Sequence, residues 1–440
     1  LKFISLHQIN LVIKHKITNI SALQFFQILR YSTLVLISVL FAKSKFSQIT
    51  IGEYETLLFI AGGVSFFWIN SLIKSFLSIF NDEKNRNSDI FNFYLLISFF
   101  SVILFFTLKL FIINNIAELR DVNYLELFLY YILLLGGSSI TEYILLAKNK
   151  IKEIFVYGIV SYFLQLLLIV LSIYYFKNFE YVLYSLIFIN ILRNIYTFSL
   201  VAKYSILKFS YSFMKENIKL SIPLMLSFVL SGSSQYIDGI IVKYKFNDAT
   251  FAVFRYGTKE FPLLVILSDA LSNAMIREFN KENLITTLKK LKQKSLNLIN
   301  LLFPISILLL IFSSYLFQYV FNKQFIESST VFDIYLLLII SRLVFPQTIF
   351  LGLKNSKTIF IASLIEFIIN VIFSLFLVQF LGIQGVALAT VIAFICEKIF
   401  LIYVLKAKYN ISVNQYINTK SLLIFSIILV STFILKYFIL

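Results

Sequence analysis

Apolar runs of about twenty residues, separated by short charged or Asn-rich breaks, recur from one end of this 440-residue chain to the other. At 1.5 Å of rise per residue, a helical run of that length crosses a hydrocarbon core about 30 Å thick. With 59% of residues hydrophobic and only 14% charged, no aqueous surface could hide the apolar side chains. The mean hydropathy of +0.88 says the same. In lipid, backbone N–H and C=O groups must be satisfied within the chain, by helices or by a closed barrel. Segments of about ten residues that alternate apolar and polar, the mark of a barrel, do not occur. The sequence therefore predicts an all-α integral membrane protein.

The apolar runs place spans at 18–42, 54–80, 91–113, 123–147, 153–176 and 181–202. A second set follows at 218–242, 251–276, 295–321, 329–353, 357–379 and 383–405, with a thirteenth at 421–440. "FSQITIGEY" (46–54) and "FNDATFAVF" (246–254) hold the same place after the first span of each set. Six spans is an even number, so both sets enter from the same side and form a parallel repeat about an axis along the membrane normal. The expected organisation is an N-terminal six-helix lobe (1–205), a C-terminal six-helix lobe (206–408) and an extra span (409–440).

The net charge of +17 follows the loops. Loops on one side carry most lysines, whereas the alternate loops hold only Lys43, Lys45, Arg120, Lys177, Lys243, Lys245 and Lys323. By the positive-inside rule this puts the N-terminus in the cytoplasm, and it makes the basic balance a matter of topology, with no nucleic-acid role. The first 17 residues lack the small-residue cleavage site of a signal peptide, so the first span is expected to stay attached. One cysteine, Cys396, and two histidines, His7 and His15, leave almost no material for a metal site or a catalytic triad. No Walker A, dinucleotide-binding or HExxH motif occurs, and no cofactor is expected. The outer loops are too short for a catalytic domain.

Charges inside the spans carry the chemistry. Arg30 lies about 18 Å into the first span, too deep for easy snorkelling. A charge there costs on the order of 3 kcal/mol on insertion scales, so it should face protein or water. Gln24 and Gln27 extend a polar flank on its side of the helix. Arg30 is either a packing cation satisfied by carbonyls or a cavity cation for an anionic ligand. Span seven spaces Ser227, Ser231, Ser234 and Asp238 along one face, either as interhelical packing or as a cavity lining. In span eight Arg255 and Lys259 stand at i and i+4, like charges that call for an anion or a carboxylate, for which Glu260 and Asp269 are candidates. Arg193 and Arg342 are further deep cations, and Glu366 is a deep acid. Lys74, Lys109, Glu142, Glu397 and Lys398 lie near span ends, where snorkelling suffices. Pro262 and Pro346 are expected bend points, and Pro223 is placed at the start of its helix.

Four stretches carry a resemblance in their order and spacing: "ISALQFFQILRY", "IGEYETLLFI", "LSIPLMLSFVLSGSSQYIDGIIV" and "LGIQGVALATVIAFICEKIFLIYVL". With them the chain resembles the polysaccharide (O-antigen-type) flippase branch of the multidrug/oligosaccharidyl-lipid/polysaccharide exporter (MOP) superfamily. The resemblance implies two six-helix lobes in a MATE-like V and alternating access. It implies a glycan repeat unit on a polyprenyl pyrophosphate as substrate, moved from the cytoplasmic to the outer leaflet of the bacterial inner membrane. It further implies a cationic cavity in which Arg30, Arg255 and Lys259 are the matching cations, with Asp238 where the family commonly keeps an acid. Ion coupling through Asp238, Glu260 or Glu366 is an open expectation. Expected partners are the lipid-linked anionic oligosaccharide, membrane lipids and other membrane proteins of the polysaccharide pathway. A multidrug or cation antiporter of the same superfamily is the alternative, and a membrane glycan polymerase or ligase a weaker one.

Overall fold

The computed structural model of the chain describes residues 19–80, 88–115, 124–259, 262–279, 283–353 and 355–439. His7, His15 and Glu260 lie outside them. In chain order the helices are α1 (Asn19–Ala42), α2 (Gln48–Ile79), α3 (Asp89–Asn115), α4 (Leu125–Ser138), α5 (Thr141–Ala147), α6 (Ile151–Val170), α7 (Phe179–Tyr204) and α8 (Tyr211–Lys245). They continue with α9 (Asp248–Gly257), α10 (Pro262–Phe279), α11 (Leu284–Val320), α12 (Ile326–Leu336), α13 (Ile339–Arg342), α14 (Pro346–Gly352), α15 (Ser356–Tyr409), α16 (Val413–Tyr416) and α17 (Thr419–Ile434). Among the described residues there is no strand. The Asn-rich breaks between apolar runs have a local use. Asn178, Asn247, Asn355 and Asn418 accept from the backbone N–H of Glu180 (2.8 Å), Thr250 (2.9 Å), Thr358 (3.3 Å) and Ser421 (3.1 Å), each closing the open start of a helix.

Ten helices among the described residues are long and apolar enough to cross a membrane. The thirteen spans expected differ for identifiable reasons. Spans eleven and twelve are merged in α15, whose course is broken at Gly382 (φ 57°, ψ −139°), a conformation open almost only to glycine. Gly385 then lets the chain pack back, since a Cβ there would lie 2.3 Å from the Leu377 carbonyl oxygen. Spans seven and eight are not among the ten. Span eight is two helices, α9 and α10, with Pro262 as the first residue of the second. Span ten is likewise split into α12, α13 and α14, and Pro346 opens α14. These two prolines therefore start new helices after a break, where their missing N–H costs nothing, and do not bend a continuous one. Pro223 lies inside α8 and does not begin it, because the helix runs about two turns further towards its N-terminus than the apolar pattern does.

Two compact units result: residues 1–45 with 60–228, and residues 46–59 with 229–440. These contact units are distinct from the six-helix lobes of the sequence reading, which stay a proposal about repeat organisation. In the first unit α1 packs on α6, α6 on α7, α7 on α4 and α4 on α3. Its core gathers Trp68, Leu72, Phe76, Phe93 and Ile97, with the Phe76 and Phe93 rings stacked at 4.2 Å between centroids. In the second unit α11 is the hub, touching α10, α12, α16 and α17. Its core includes Phe251, Phe254, Leu302, Phe303, Ile339 and Phe350. Both segments singled out as repeat partners, 46–54 and 246–254, lie in the second unit, where Gly52 lets α2 approach α9 so closely that a Cβ would sit 2.0 Å from the Asp248 carbonyl oxygen.

Candidate functional site

Polar side chains in an apolar bundle are expensive unless paired, so their placement points to the working parts. In the first unit Arg30 projects from α1 and is exposed. The groups that act on it electrostatically are Tyr131 on α4, Glu142 and Tyr143 on α5, and Tyr162 on α6. All of these groups belong to helices of its own unit. Among the described residues it makes no hydrogen bond and no ion pair within 4.0 Å. Gln27, one turn before Arg30, is exposed and hydrogen-bonds the Tyr143 side chain. The Gln24 side chain lies outside the described residues.

Arg193 behaves differently. Its Nε donates to Ser161 Oγ and a terminal nitrogen donates to Gln165 Oε1, both at 2.7 Å, while the guanidinium lies 5.0 Å from the centre of the Tyr162 ring. It is a structural cation that ties α7 to α6. Glu142 also departs from its sequence placement near a span end, where snorkelling suffices. The break at Ser139–Ile140 turns α5 inward and leaves Glu142 only 3% exposed.

In the second unit the carboxylate that answers Arg255 and Lys259 is Glu55, on the "IGEYETLLFI" stretch of α2. Glu55 Oε1 is 3.4 Å from Lys259 Nζ and Oε2 is 3.8 Å from Arg255 Nε. The sequence expectation for this role is Glu260 or Asp269, and Glu55 is not among its candidates. Glu260 is outside the described residues, and Asp269 lines a separate cleft with Ser268, Ser272, Arg342, Gln347 and Lys398. The end of α9 at Gly257 makes the exchange possible, since Lys259 leaves the helix and is freed from the i, i+4 geometry that would have held it beside Arg255. Lys259 also lies 4.3 Å from the centre of the Tyr256 ring, and Arg255 lies 5.3 Å from that of Phe59. Both cations keep about a quarter of their side-chain surface accessible, at 23% and 29%, whereas Glu55 keeps 4%.

Asp238 on α8 is 1% exposed. It accepts a hydrogen bond from Tyr335 on α12 (2.9 Å) and another from Thr390 on α15, and Asn370 supplies a third side-chain contact. Asn370 Nδ2 in turn donates to Thr390 (3.2 Å). No Lys or Arg nitrogen lies within 4.0 Å of Asp238 among the described residues. A buried carboxyl surrounded by hydroxyl and amide groups, without a basic partner, is suited to hold a proton or a small cation. Glu366 is buried one helical turn from Asn370 on the same face of α15. The side chains of Ser227, Ser231 and Ser234 lie outside the described residues, although their backbone is part of α8.

One further polar pair departs from the snorkelling expectation. Glu397 is fully buried, bound to Lys398 Nζ at 2.9 Å and to the Gln347 amide, so this is an internal ion pair. Arg342 packs 5.2 Å from the centre of the Phe394 ring. No group of three His, Cys, Asp or Glu side chains able to hold a metal occurs among the described residues.

The sequence profile of a family described as "Polysaccharide biosynthesis protein" matches residues 70–330. Among solved structures, "Lipid II flippase MurJ, inward closed conformation" aligns with a TM-score of 0.65 at 19% identity, covering 94% of this chain and 92% of that one. An inward-facing multidrug resistance MATE family transporter of the MOP superfamily aligns with a TM-score of 0.56 at 16% identity, over 83% of this chain and 96% of that one. The Vibrio cholerae MATE transporter VcmN aligns with a TM-score of 0.51 at 14% identity, over 93% and 99% of the respective chains. No curated protein matches the sequence. The fold of this chain is therefore that of the MurJ and MATE transporters.

Proposed function

We propose, from the premise that the chain belongs to the polysaccharide biosynthesis protein family, that it is a flippase for an oligosaccharide repeat unit carried on a polyprenyl pyrophosphate. The observation that carries this reading is Arg30: an exposed guanidinium on a membrane-spanning helix that makes no hydrogen bond or ion pair among the described residues. Such a group is costly in lipid unless a ligand anion meets it, and a guanidinium suits phosphate oxygens through paired N–H donors. Arg255 and Lys259, which share the carboxylate of Glu55, are the second cationic element.

In this reading the lobes 1–205 and 206–408, with the added span 409–440, alternate access across the bacterial inner membrane from a cytoplasmic N-terminus. Moving a negatively charged substrate to the positive outer face gains about 2.3 kcal/mol per charge per 100 mV. Asp238 is the candidate for coupling to a proton or sodium ion. Binding, not bond making, is the task of these residues, and the protein acts without a cofactor. The test compares wild type, Arg30→Ala and Arg30→Lys for surface glycan in cells lacking the native protein. Loss in Arg30→Ala, with single repeat units held on the inner leaflet and partial recovery in Arg30→Lys, is the expected result. Normal export by Arg30→Ala overturns the reading, and single units accumulating outside point instead to a polymerase or ligase.

A further inference from the structure

The connection between α7 and α8, residues 205–210, turns apolar side chains outward at a lysine-rich end of the first unit. Ile206, Leu207, Phe209 and Tyr211, the last of them the first residue of α8, are between 47% and 69% exposed. Their backbone is nevertheless pinned. The fully buried Asn92 on α3 donates from its amide to the Lys208 carbonyl at 2.9 Å and accepts from the Ser210 N–H at 2.8 Å. Ser205 Oγ accepts from the Phe91 N–H at 3.2 Å, which answers a donor that the start of α3 leaves open. A connection clamped in this way is not free to fold its apolar side chains back onto the bundle, so their cover comes from outside the chain.

Depth identifies that cover. The apolar run of the sixth span ends at residue 202 and α7 ends at Tyr204, so the connection starts about 3 Å beyond the hydrocarbon edge at helical rise. The headgroup layer on each side of a bilayer is about 5–8 Å thick. The connection therefore begins within it. Lysines surround the apolar side chains. Lys203 and Lys150 lie 4.9 Å and 6.0 Å from the centre of the Tyr204 ring, which brings the turn between α5 and α6 to the same place. Lys208 belongs to the connection itself, and Lys215 and Lys219 stand one turn apart on α8. All five are exposed, and the acids at this end among the described residues are Asp89, Glu153 and Glu216, so positive charge is in excess. Topology alone asks for lysines on one side of the membrane. It does not ask for a pinned, outward apolar cluster in their midst.

We propose that residues 205–211 form an interfacial anchor that selects anionic lipids. The apolar side chains reach the acyl boundary, and Lys150, Lys203, Lys208, Lys215 and Lys219 hold headgroup phosphates by charge-assisted hydrogen bonds. The ligand is a resident membrane lipid, and the site is separate from Arg30.

The test puts a fluorescent reporter in the connection. The one tryptophan, Trp68, is buried, so Phe209→Trp is read in a Trp68→Phe background. The full chain is reconstituted in phosphatidylcholine vesicles carrying the same small fraction of either brominated phosphatidylglycerol or brominated phosphatidylcholine, with bromine near the carbonyl end of the acyl chains. Both lipids should quench the new indole, with phosphatidylglycerol favoured about fivefold, the worth of one lysine at an anionic surface. Lys203→Gln, Lys208→Gln and Lys215→Gln together should bring that preference close to one and leave the quenching in place. Phe163→Trp, at an exposed position in the middle of α6, should be quenched equally by both lipids. Absence of quenching in Phe209→Trp places the connection in water and overturns the proposal. Quenching without preference, or a preference that survives the triple lysine variant, overturns it too. Tyr211→Trp supplies the same readings if the first reporter does not elute as a single species. None of these readings involves Arg30 or export, so the outcome is independent of the flippase reading.

Discussion

The last span is held by a charge as well as by its apolar face, and that can be measured. Asp333 on α12 is completely buried, and its Oδ2 accepts from Lys436 Nζ at 2.6 Å, from Ser313 Oγ at 2.9 Å and from the Tyr437 hydroxyl. Lys436, in the π turn Leu435–Ile439 that ends α17, also donates to the Leu310 carbonyl at 2.7 Å and contacts Ser313 Oγ at 2.6 Å. Removing one partner of a buried ion pair costs about 3–5 kcal/mol, because the other charge stays uncompensated. Lys436 keeps 18% of its side chain accessible, and Ser313 and Tyr437 stay on the carboxylate, so Lys436→Met belongs at the lower end, about 3 kcal/mol. For a unit of this size that is a fall of about 6–12 °C in the midpoint of thermal unfolding. The double variant Asp333→Leu with Lys436→Met leaves no buried charge and should recover most of the loss. The assay is thermal unfolding of the purified protein in detergent for wild type, both single variants and the double. A Lys436→Met midpoint within about one degree of wild type, or a double variant less stable than either single, would refute the reasoning.

Gly382→Ala forces a side chain into the φ 57° backbone at the turn of α15, costing about 1–3 kcal/mol, and should lower the same unfolding midpoint. Gly52→Val meets the Asp248 carbonyl oxygen where the α2 and α9 backbones touch, so the yield of monodisperse protein on size exclusion should drop sharply. Glu55→Gln removes the carboxylate shared by Arg255 and Lys259, and tighter binding of a short-chain prenyl pyrophosphoryl N-acetylglucosamine to the full chain in detergent, by about tenfold, is expected. Asp238→Asn keeps the shape of the group that Tyr335 and Thr390 hold, so the protein should still bind substrate. Its transport in proteoliposomes should no longer respond to an imposed proton or sodium gradient.

The sequence by itself determined that this chain is a helical membrane protein. Runs of apolar residues are a local property, and lipid leaves a backbone so few ways to satisfy itself that length and composition suffice. It also determined which residues deserve suspicion, since Arg30, Arg255, Lys259 and Asp238 stand out against apolar neighbours whatever the fold. Helix continuity was beyond it. The breaks at Gly257 and before Pro346 arise because the bundle supplies alternative partners and packing, as Ser328 does by donating to the Val253 carbonyl at 2.8 Å. Partnership was beyond it too. Glu55 lies some two hundred residues from Lys259, Thr390 lies far along the chain from Asp238, and Asp333 is bound by a lysine near the end of α17. Only tertiary structure decides such pairs, because a charge is attracted to any opposite charge. Which one it meets depends on helix packing between segments that the local pattern leaves equally apolar and interchangeable.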